Sequence, residues 1–384
     1  MIITLNSPSD FHTHLRGYNG DPIDTSAKNP LAILEAVCPL QSSFSQVLAM
    51  PNLMPNHIQT ADEVDTYRKK LETYLPDWVY PIMTISLKPT TTPDMIYACR
   101  WKIGAVKYYP GWVTTNSGGS TGDIDPDDNL IKMVFEAMIE CGMVLSLHPE
   151  TTVMKDSFWY ITKWFVHRAE REFRMLAERI AQRFPALKIV IEHISTREMA
   201  ELVESEQYEN IYGSVTSQHL LLTAHDKEWS HAFDPHLHCK PTLKDPEDLT
   251  AIQKLVFSGN RKVFFGSDSA PHPQSAKECS HCASGVFSSP IAIQIVTEWW
   301  MSDMTDIWWQ ALTNEILSFD QKIARLQRFF ADNGEVLYPR KWEKIITLEQ
   351  KPFTIPLVYP TQFPELTIVP MWAGKTISWS IIED

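Results

Sequence analysis

No stretch of the chain reaches the ~18 uninterrupted apolar residues of a membrane span, although 44% of its residues are apolar. That argues against a membrane-spanning helix and leaves enough apolar material for a substantial core. A basic N-terminal region followed by an apolar one is also missing, so no signal peptide is expected and the expected compartment is the cytoplasm. Positive charge is scarce: 34 lysines and arginines against 47 acids leave a formal charge of −13. This balance disfavours nucleic acid or an anionic membrane as a partner. It does not forbid a small anionic substrate, because a local pocket of positive charge overrides the global field. Six cysteines, Cys38, Cys99, Cys141, Cys239, Cys279 and Cys282, are scattered over 384 residues. A chain of this length needs no disulfide staples, and reduced thiols are expected. Cys279-Ser280-His281-Cys282 has the spacing of a zinc or redox motif. A structural zinc would need a second ligand pair, for which His236, His238 and Cys239 are the nearby candidates, so the expectation is a loop with incidental thiols. No short repeat, low-complexity tract or linker composition divides the chain, and residues 1–384 are expected to form one domain.

Short β-rich runs alternate with longer helical patterns. The runs are Ser9–His14, Gln46–Met50, Tyr80–Leu87, Gly104–Tyr109, Val144–His148, Lys188–His193, Asn210–Thr216 and Arg261–Ser267. Between them the pattern predicts helices over Ser26–Val37, Ala61–Leu75, Pro93–Trp101, Asp127–Cys141, Lys155–Phe184, Thr196–Glu204 and Pro246–Phe257. Thr60 with Glu63 forms a candidate capping box, and Asp125-Pro126-Asp127-Asp128 offers a cap, a proline and helix-dipole acids. Eight strands alternating with helices predict an α/β protein, a (β/α)8 TIM barrel. Two further helices are predicted over Ile291–Met301 and Ile307–Ala331. Their tryptophans, among them Trp299, Trp300, Trp308 and Trp309, are expected to pack on the barrel or a second subunit rather than stack on a cofactor. The tail Thr347–Asp384 reads as short strands, with Thr376–Ser380 a candidate to pair with Met1–Leu5.

The functional residues gather at the strand ends. Asp10-Phe11-His12-Thr13-His14-Leu15-Arg16 sets two histidines two residues apart, on one face of a strand. Neutral imidazoles so placed suit Zn²⁺, and Arg16 continues the row towards an anion beside the metal. Lys107, His148, His193 and Asp268 close the fourth, fifth, sixth and eighth strands. In a barrel these ends share one face. A single histidine or aspartate there is usually polar decoration or a helix cap; five strands delivering ligand-type residues to corresponding positions form a set. Four histidines and an aspartate suffice for two divalent ions but need a bridge. A Lys107 carbamate, formed by addition of CO₂ to the neutral amine, is one candidate, with a hydroxide as a second. A snorkelling or ion-paired lysine is the other reading of Lys107, and both stand at this point.

These motifs, with Met50-Pro51-Asn52, Val106-Lys107-Tyr108-Tyr109-Pro110, Thr114-Thr115-Asn116, Gln218-His219-Leu220, Pro235–Pro241, Asp268-Ser269-Ala270-Pro271-His272 and Ala373-Gly374-Lys375-Thr376, resemble the dihydroorotases of the amidohydrolase superfamily, in their shorter, single-enzyme bacterial type. The resemblance runs nearly end to end. It implies the reversible cyclisation of N-carbamoyl-L-aspartate to L-dihydroorotate in de novo pyrimidine biosynthesis. It implies two Zn²⁺ per subunit: one on His12, His14 and Asp268, the other on His148 and His193, bridged by a carboxylated Lys107 (N6-carboxylysine) and hydroxide. Asp268 would also shuttle the proton. Arg16, Asn52 and His272 would bind the substrate carboxylate. Thr114 and Thr115 would lie on a closing loop, and backbone groups near Lys240 and Ser284 would meet the pyrimidine edge. A homodimer acting on a small molecule is expected.

Pro149 between His148 and Glu150, Lys240, Ser284 and about a dozen extra residues between Arg16 and Asn52 depart from many relatives, and none removes a ligand. The nearest alternative is a hydantoinase- or allantoinase-like cyclic amidohydrolase. From another class, the alternative is a catalytically silent relative acting as a binding partner.

Overall fold

The computed structural model describes residues 1–16, 32–53, 56–111, 124–151, 163–228, 234–362 and 366–382. Twelve strands are present among them: β1 (Ile2–Asn6), β2 (Ser9–Thr13), β3 (Gln46–Ala49), β4 (Tyr80–Ile82), β5 (Thr84–Leu87), β6 (Ala105–Tyr108), β7 (Val144–Leu147), β8 (Ile189–Ile191), β9 (Ile211–Val215), β10 (Val263–Phe265), β11 (Ile345–Thr354) and β12 (Thr376–Ile382). All eight expected barrel strands are found. The third, read as continuous over Tyr80–Leu87, is interrupted at Met83. β4 pairs with β3 and β5 with β6, so the parallel ladder splits there into three- and six-stranded parts. The ring closes between β10 and β2, where the Asp268 amide donates to the His12 carbonyl at 2.8 Å and the His14 amide to the Ser269 carbonyl at 2.9 Å.

Alternation along the strands builds two apolar shells. Phe11, Leu48, Ile82, Ala105, Val144, Val190 and Phe264, one from each of seven strands, fill the barrel interior with Tyr338. Their neighbours, among them Val47, Val106, Leu145, Ile189 and Phe265, belong to the layer shared with the helices. Phe11 stacks on Tyr338 at 5.5 Å between centroids and meets Phe264 edge-on at 5.3 Å. This aromatic plug fills the lower barrel and leaves the opposite end of the strands to polar groups.

The helices form close to where their signals predict, but the one expected over Asp127–Cys141 starts two residues later, at Asn129, and the one expected over Pro93–Trp101 ends at Ala98. Thr60 and Glu63 make a reciprocal capping box on Ala61–Tyr74. Asp128 caps Asn129–Cys141 by accepting from the Leu130 and Ile131 amides. The described parts of the expected Ser26–Val37 and Lys155–Phe184 helices are Ala32–Val37 and Lys163–Arg183; Phe184 lies just past the second, and the remainder lies outside the described residues. One expectation fails: Ile307–Ala331 is two helices, Asp303–Thr313 and Phe319–Gln327, the second running on into a wider turn over Arg328–Asp332. Asn314 ends the first in a left-handed conformation (φ 59°), and Ser318 starts the second with a capping box to Gln321. Trp300 and Trp309 are buried beside Phe257, with Trp299 and Trp308 packed around them.

The tail also needs a correction. β12 does not pair with β1. β11 lies between them, antiparallel to both, using Ile345–Glu349 against β1 and Thr347–Thr354 against β12. Ile3 and Leu5, Ile346 and Leu348, and Ile377 and Trp379 alternate into the buried face of this sheet. A ten-residue strand with an apolar period of two can serve both edges, and the short strand expected at its position could not.

Candidate metal centre and active site

Every described residue of the expected metal set lies at one end of the barrel. His12 and His14 leave β2 with ring centroids 5.4 Å apart, and His12 lies 5.2 Å from His193. Asp268 follows β10; its Oδ1 is 3.0 Å from His14 Nε2 and 3.4 Å from His12 Nε2. His148 Nδ1 and His193 Nε2, from the ends of β7 and β8, face each other at 3.1 Å. Lys107 is fully buried in β6, its Nζ 5.2 Å from the Tyr109 ring centre and without a hydrogen-bond partner among the described residues. Arg16, His193 and Asp268 adopt left-handed backbone conformations, with φ of 62°, 39° and 46°. Such conformations are costly for residues other than glycine, and here they occur together where strand ends turn side chains into one pocket.

Acidic side chains beyond the expected ligands hold these groups in place. Glu192, immediately before His193, places Oε2 2.8 Å from His12 Nδ1 and accepts the Ser146 and Ser214 hydroxyls at 2.5 and 2.6 Å. Glu150 places Oε2 2.7 Å from His148 Nε2. Asp10 accepts from the Ser267 amide and hydroxyl at 2.8 and 2.5 Å, tying the end of β10 to β2. Glu170 accepts the Ser195 and Thr196 amides at 2.8 and 3.2 Å, capping the helix that follows His193 from outside. The sequence signal for Glu192 and Glu150 was an acid one or two positions from a candidate ligand. What each acid touches depended on strand packing.

Electrostatics follow from burial and these partners. Burial opposes ionisation of Asp268, but hydrogen bonds from His12 and His14 hold its carboxyl well below the usual range. Burial likewise opposes ionisation of Glu192, yet His12 and Lys107 bring it down to about 2. Burial lowers His14 to about 4 and, with His148 beside it, takes His193 well below the ordinary histidine value. Burial pushes the Lys107 ammonium down to about 8, against the pull of Glu192 and Asp268.

The donor set fits divalent ions. His12, His14 and Asp268 offer three ligand atoms within 4.8 Å of one another. Two nitrogens on one tetrahedral zinc, each at about 2.0–2.1 Å, stand roughly 3.3 Å apart, close to the 3.1 Å between His148 and His193. Beside them Lys107 Nζ is buried without a hydrogen-bond partner among the described residues, a cost that an added group on the amine would remove.

Arg16, Asn52, Lys240 and Ser284 line the same pocket as His12, His14, His148, His193 and Asp268. His272 touches it through Arg16: His272 Nε2 is 2.9 Å from Arg16 Nη2 and 3.0 Å from the Ser284 carbonyl oxygen. One ring nitrogen serves only one of these. If Nε2–H donates to the carbonyl, the Arg16 donors remain available to an anion, and Arg16 Nε has no partner among the described residues. Thr114 and Thr115 lie outside the described residues. Cys279 and Cys282 gather no metal-ligand cluster among the described residues, and none of the cysteines is in a disulfide.

No family model matches the chain. It is 34% identical to a mitochondrial dihydroorotase of Arabidopsis thaliana over 386 aligned residues, covering 99% of this chain and 90% of that one. The dihydroorotase structure from Campylobacter jejuni matches at 32% identity and a TM-score of 0.80, over 100% of this chain and 98% of that one. The structure of dihydroorotase from Saccharomyces cerevisiae in complex with 5-fluoroorotic acid matches at 30% identity and a TM-score of 0.82, over 99% and 98%. Each of these alignments covers at least 90% of both chains at 30% identity or more. The chain belongs to the dihydroorotase family of cyclic amide hydrolases.

Proposed function

We propose that the chain is a binuclear zinc dihydroorotase, interconverting N-carbamoyl-L-aspartate and L-dihydroorotate in de novo pyrimidine biosynthesis. The observation that carries the reading is the convergence of His12, His14 and Asp268 with the facing pair His148 and His193. His12, His14 and Asp268 would hold one zinc ion, His148 and His193 the other, and Lys107, carboxylated on its orphaned Nζ, would bridge them. The bound ions supply a Lewis acid for the amide oxygen and lower the pKa of water towards neutrality. Arg16 presents a planar fork to the substrate carboxylate, with Asn52 and His272 beside it, and so sets the ring amide over the ligand cluster. The yeast relative's complex with 5-fluoroorotic acid supports an acid ligand of this kind. Asp268 takes the proton of the attacking water. In hydrolysis the carbon–nitrogen bond of the ring breaks, and Asp268 returns that proton to the leaving nitrogen. In the reverse direction Asp268 receives the nitrogen's proton as the ring closes and passes it to the hydroxyl that leaves as water. Thr114 and Thr115 would close over the substrate, and backbone groups near Lys240 and Ser284 would meet the ring edge.

In this reading residues 1–384 form one amidohydrolase-type domain that works as a cytoplasmic homodimer. Among the described residues no helix is long and apolar enough to cross a membrane. The test is turnover of carbamoyl aspartate, hydantoin and allantoin by one zinc-loaded preparation. Preference for carbamoyl aspartate is expected. Preference for hydantoin or allantoin would overturn the substrate assignment, and no turnover of any would favour a silent relative.

A further inference from the structure

Glu150 is buried, at 2% exposure, two residues beyond His148, with Pro149 between them. The local backbone is tightly held. The His148 amide donates to the Tyr108 carbonyl at 3.0 Å, the Glu150 amide folds back to the His148 carbonyl at 3.0 Å, and the Thr151 amide reaches the Ala169 carbonyl at 3.0 Å. Proline fixes φ near −65° and removes one donor, so the link between His148 and Glu150 has few conformations to choose from. The result is a carboxylate turned back onto the preceding histidine, with Oε2 2.7 Å from Nε2.

An ionised carboxylate only accepts hydrogen bonds, so the hydrogen of a neutral His148 must sit on Nε2. Nδ1 then carries the lone pair, and Nδ1 is the atom that faces His193 Nε2 at 3.1 Å. The other tautomer would set a lone pair against the Glu150 carboxylate. His12 is turned the opposite way round: its Nδ1 lies 2.8 Å from Glu192 Oε2 and its Nε2 3.4 Å from Asp268 Oδ1. The two acids come from different strand ends and touch different histidines. The Glu192 carboxylate is also braced by Ser146 and Ser214.

We propose that Glu150 is a positioning residue that sets metal retention at the His148/His193 position alone, by holding His148 in the tautomer and orientation that presents Nδ1. This rests on the reading of two metal positions given above. Retention at the His12/His14/Asp268 position falls to Glu192. Carboxylate partners of metal-bound histidines typically alter affinity by about 10- to 100-fold.

The experiment measures zinc equivalents in the loaded enzyme against increasing chelator, with cadmium NMR of the cadmium-substituted protein to distinguish the two positions. The wild type is expected to hold two ions. Glu150→Gln keeps an acceptor but loses the charge. It should release one ion at a chelator concentration about 10- to 100-fold lower while the other is unchanged, and one of the two cadmium resonances should shift or vanish. Glu192→Gln should weaken the opposite ion. If Glu150→Gln does not fold, as judged by circular dichroism, Glu150→Asp carries the same test: its charge is intact but its reach is one methylene short. Unchanged retention of both ions would overturn the proposal, and so would equal loss of both. A wild type that binds no metal would instead overturn the two-metal reading itself.

Discussion

At the scale of single residues the proposed reaction divides proton handling and anion binding between different side chains. Asp268 stands between the His12 and His14 nitrogens and is held ionised by them. Asp268→Asn keeps the shape but cannot take a proton, so kcat is expected to fall by on the order of 10²- to 10⁴-fold; initial rates in both directions check this, and near-normal turnover would refute the role. Arg16 has no such part in proton transfer. Its fork matches a carboxylate in a way the single ammonium of lysine does not. Arg16→Lys is therefore expected to lower kcat/KM by about 10- to 100-fold while the zinc content stays that of the wild type. Unaltered kinetics would make Arg16 a structural residue. The candidate metal and anion ligands were legible in the sequence because His-x-His and Asp268–His272 place several chemically specific residues close together. Glu150 and Glu192 stand beside His148 and His193 in the sequence but were not recognisable there. An acid beside a histidine acquires a role only when its partner is known, and the partner of Glu192 is 180 residues away.

At the scale of elements, barrel closure and the loops after the strands carry the energetic risk. Gly266 follows β10 where it crosses β2: a Cβ there would lie 2.9 Å from His12 Cβ and 3.2 Å from the His12 nitrogen. Gly266→Ala must push β10 away from β2, with an expected cost of about 1–3 kcal/mol in urea unfolding and weakened zinc retention, since His12 moves with its strand. His219, in the short helix Ser217–Leu221 after β9, contacts the Thr216 hydroxyl and the Pro241 carbonyl through its two ring nitrogens at 2.9 and 3.0 Å. Burial, with Lys244 nearby, lowers it from 6.5 to about 4. The unfolded chain therefore takes up this proton first as pH falls, and stability is lost between about pH 6.5 and 4. The loss attributable to His219 reaches on the order of 3 kcal/mol once pH has passed the folded value. Denaturant unfolding of the wild type and His219→Gln across this window should differ by that slope. Parallel profiles would show that His219 is not the group responsible.

At the scale of the whole molecule, the proposed metal binding would be linked to folding. The site draws on residues from His12 to Asp268, so it exists only in the closed barrel. A ligand bound to the folded state alone stabilises it by about 4 kcal/mol at a thousandfold excess over Kd. Chelation should lower the melting temperature by roughly several degrees, and zinc should restore it. Identical melting curves with and without chelator would show that zinc does not bind the folded chain.

The amino-acid sequence determined the order of the strands, their alternation with helices and the identity of the ligand-type residues, because apolar period and residue chemistry are local properties. The tertiary structure decided what local pattern does not contain. It interrupted the third strand at Met83, where β4 and β5 turn to different neighbours. It inserted β11 between β1 and β12, because pairing partners are chosen across hundreds of residues. It also brought His14 to Asp268 across 254 positions and chose the nitrogen that each of His12 and His148 presents. A tautomer is set by the atom opposite the ring, and only the closed barrel determines which atom that is.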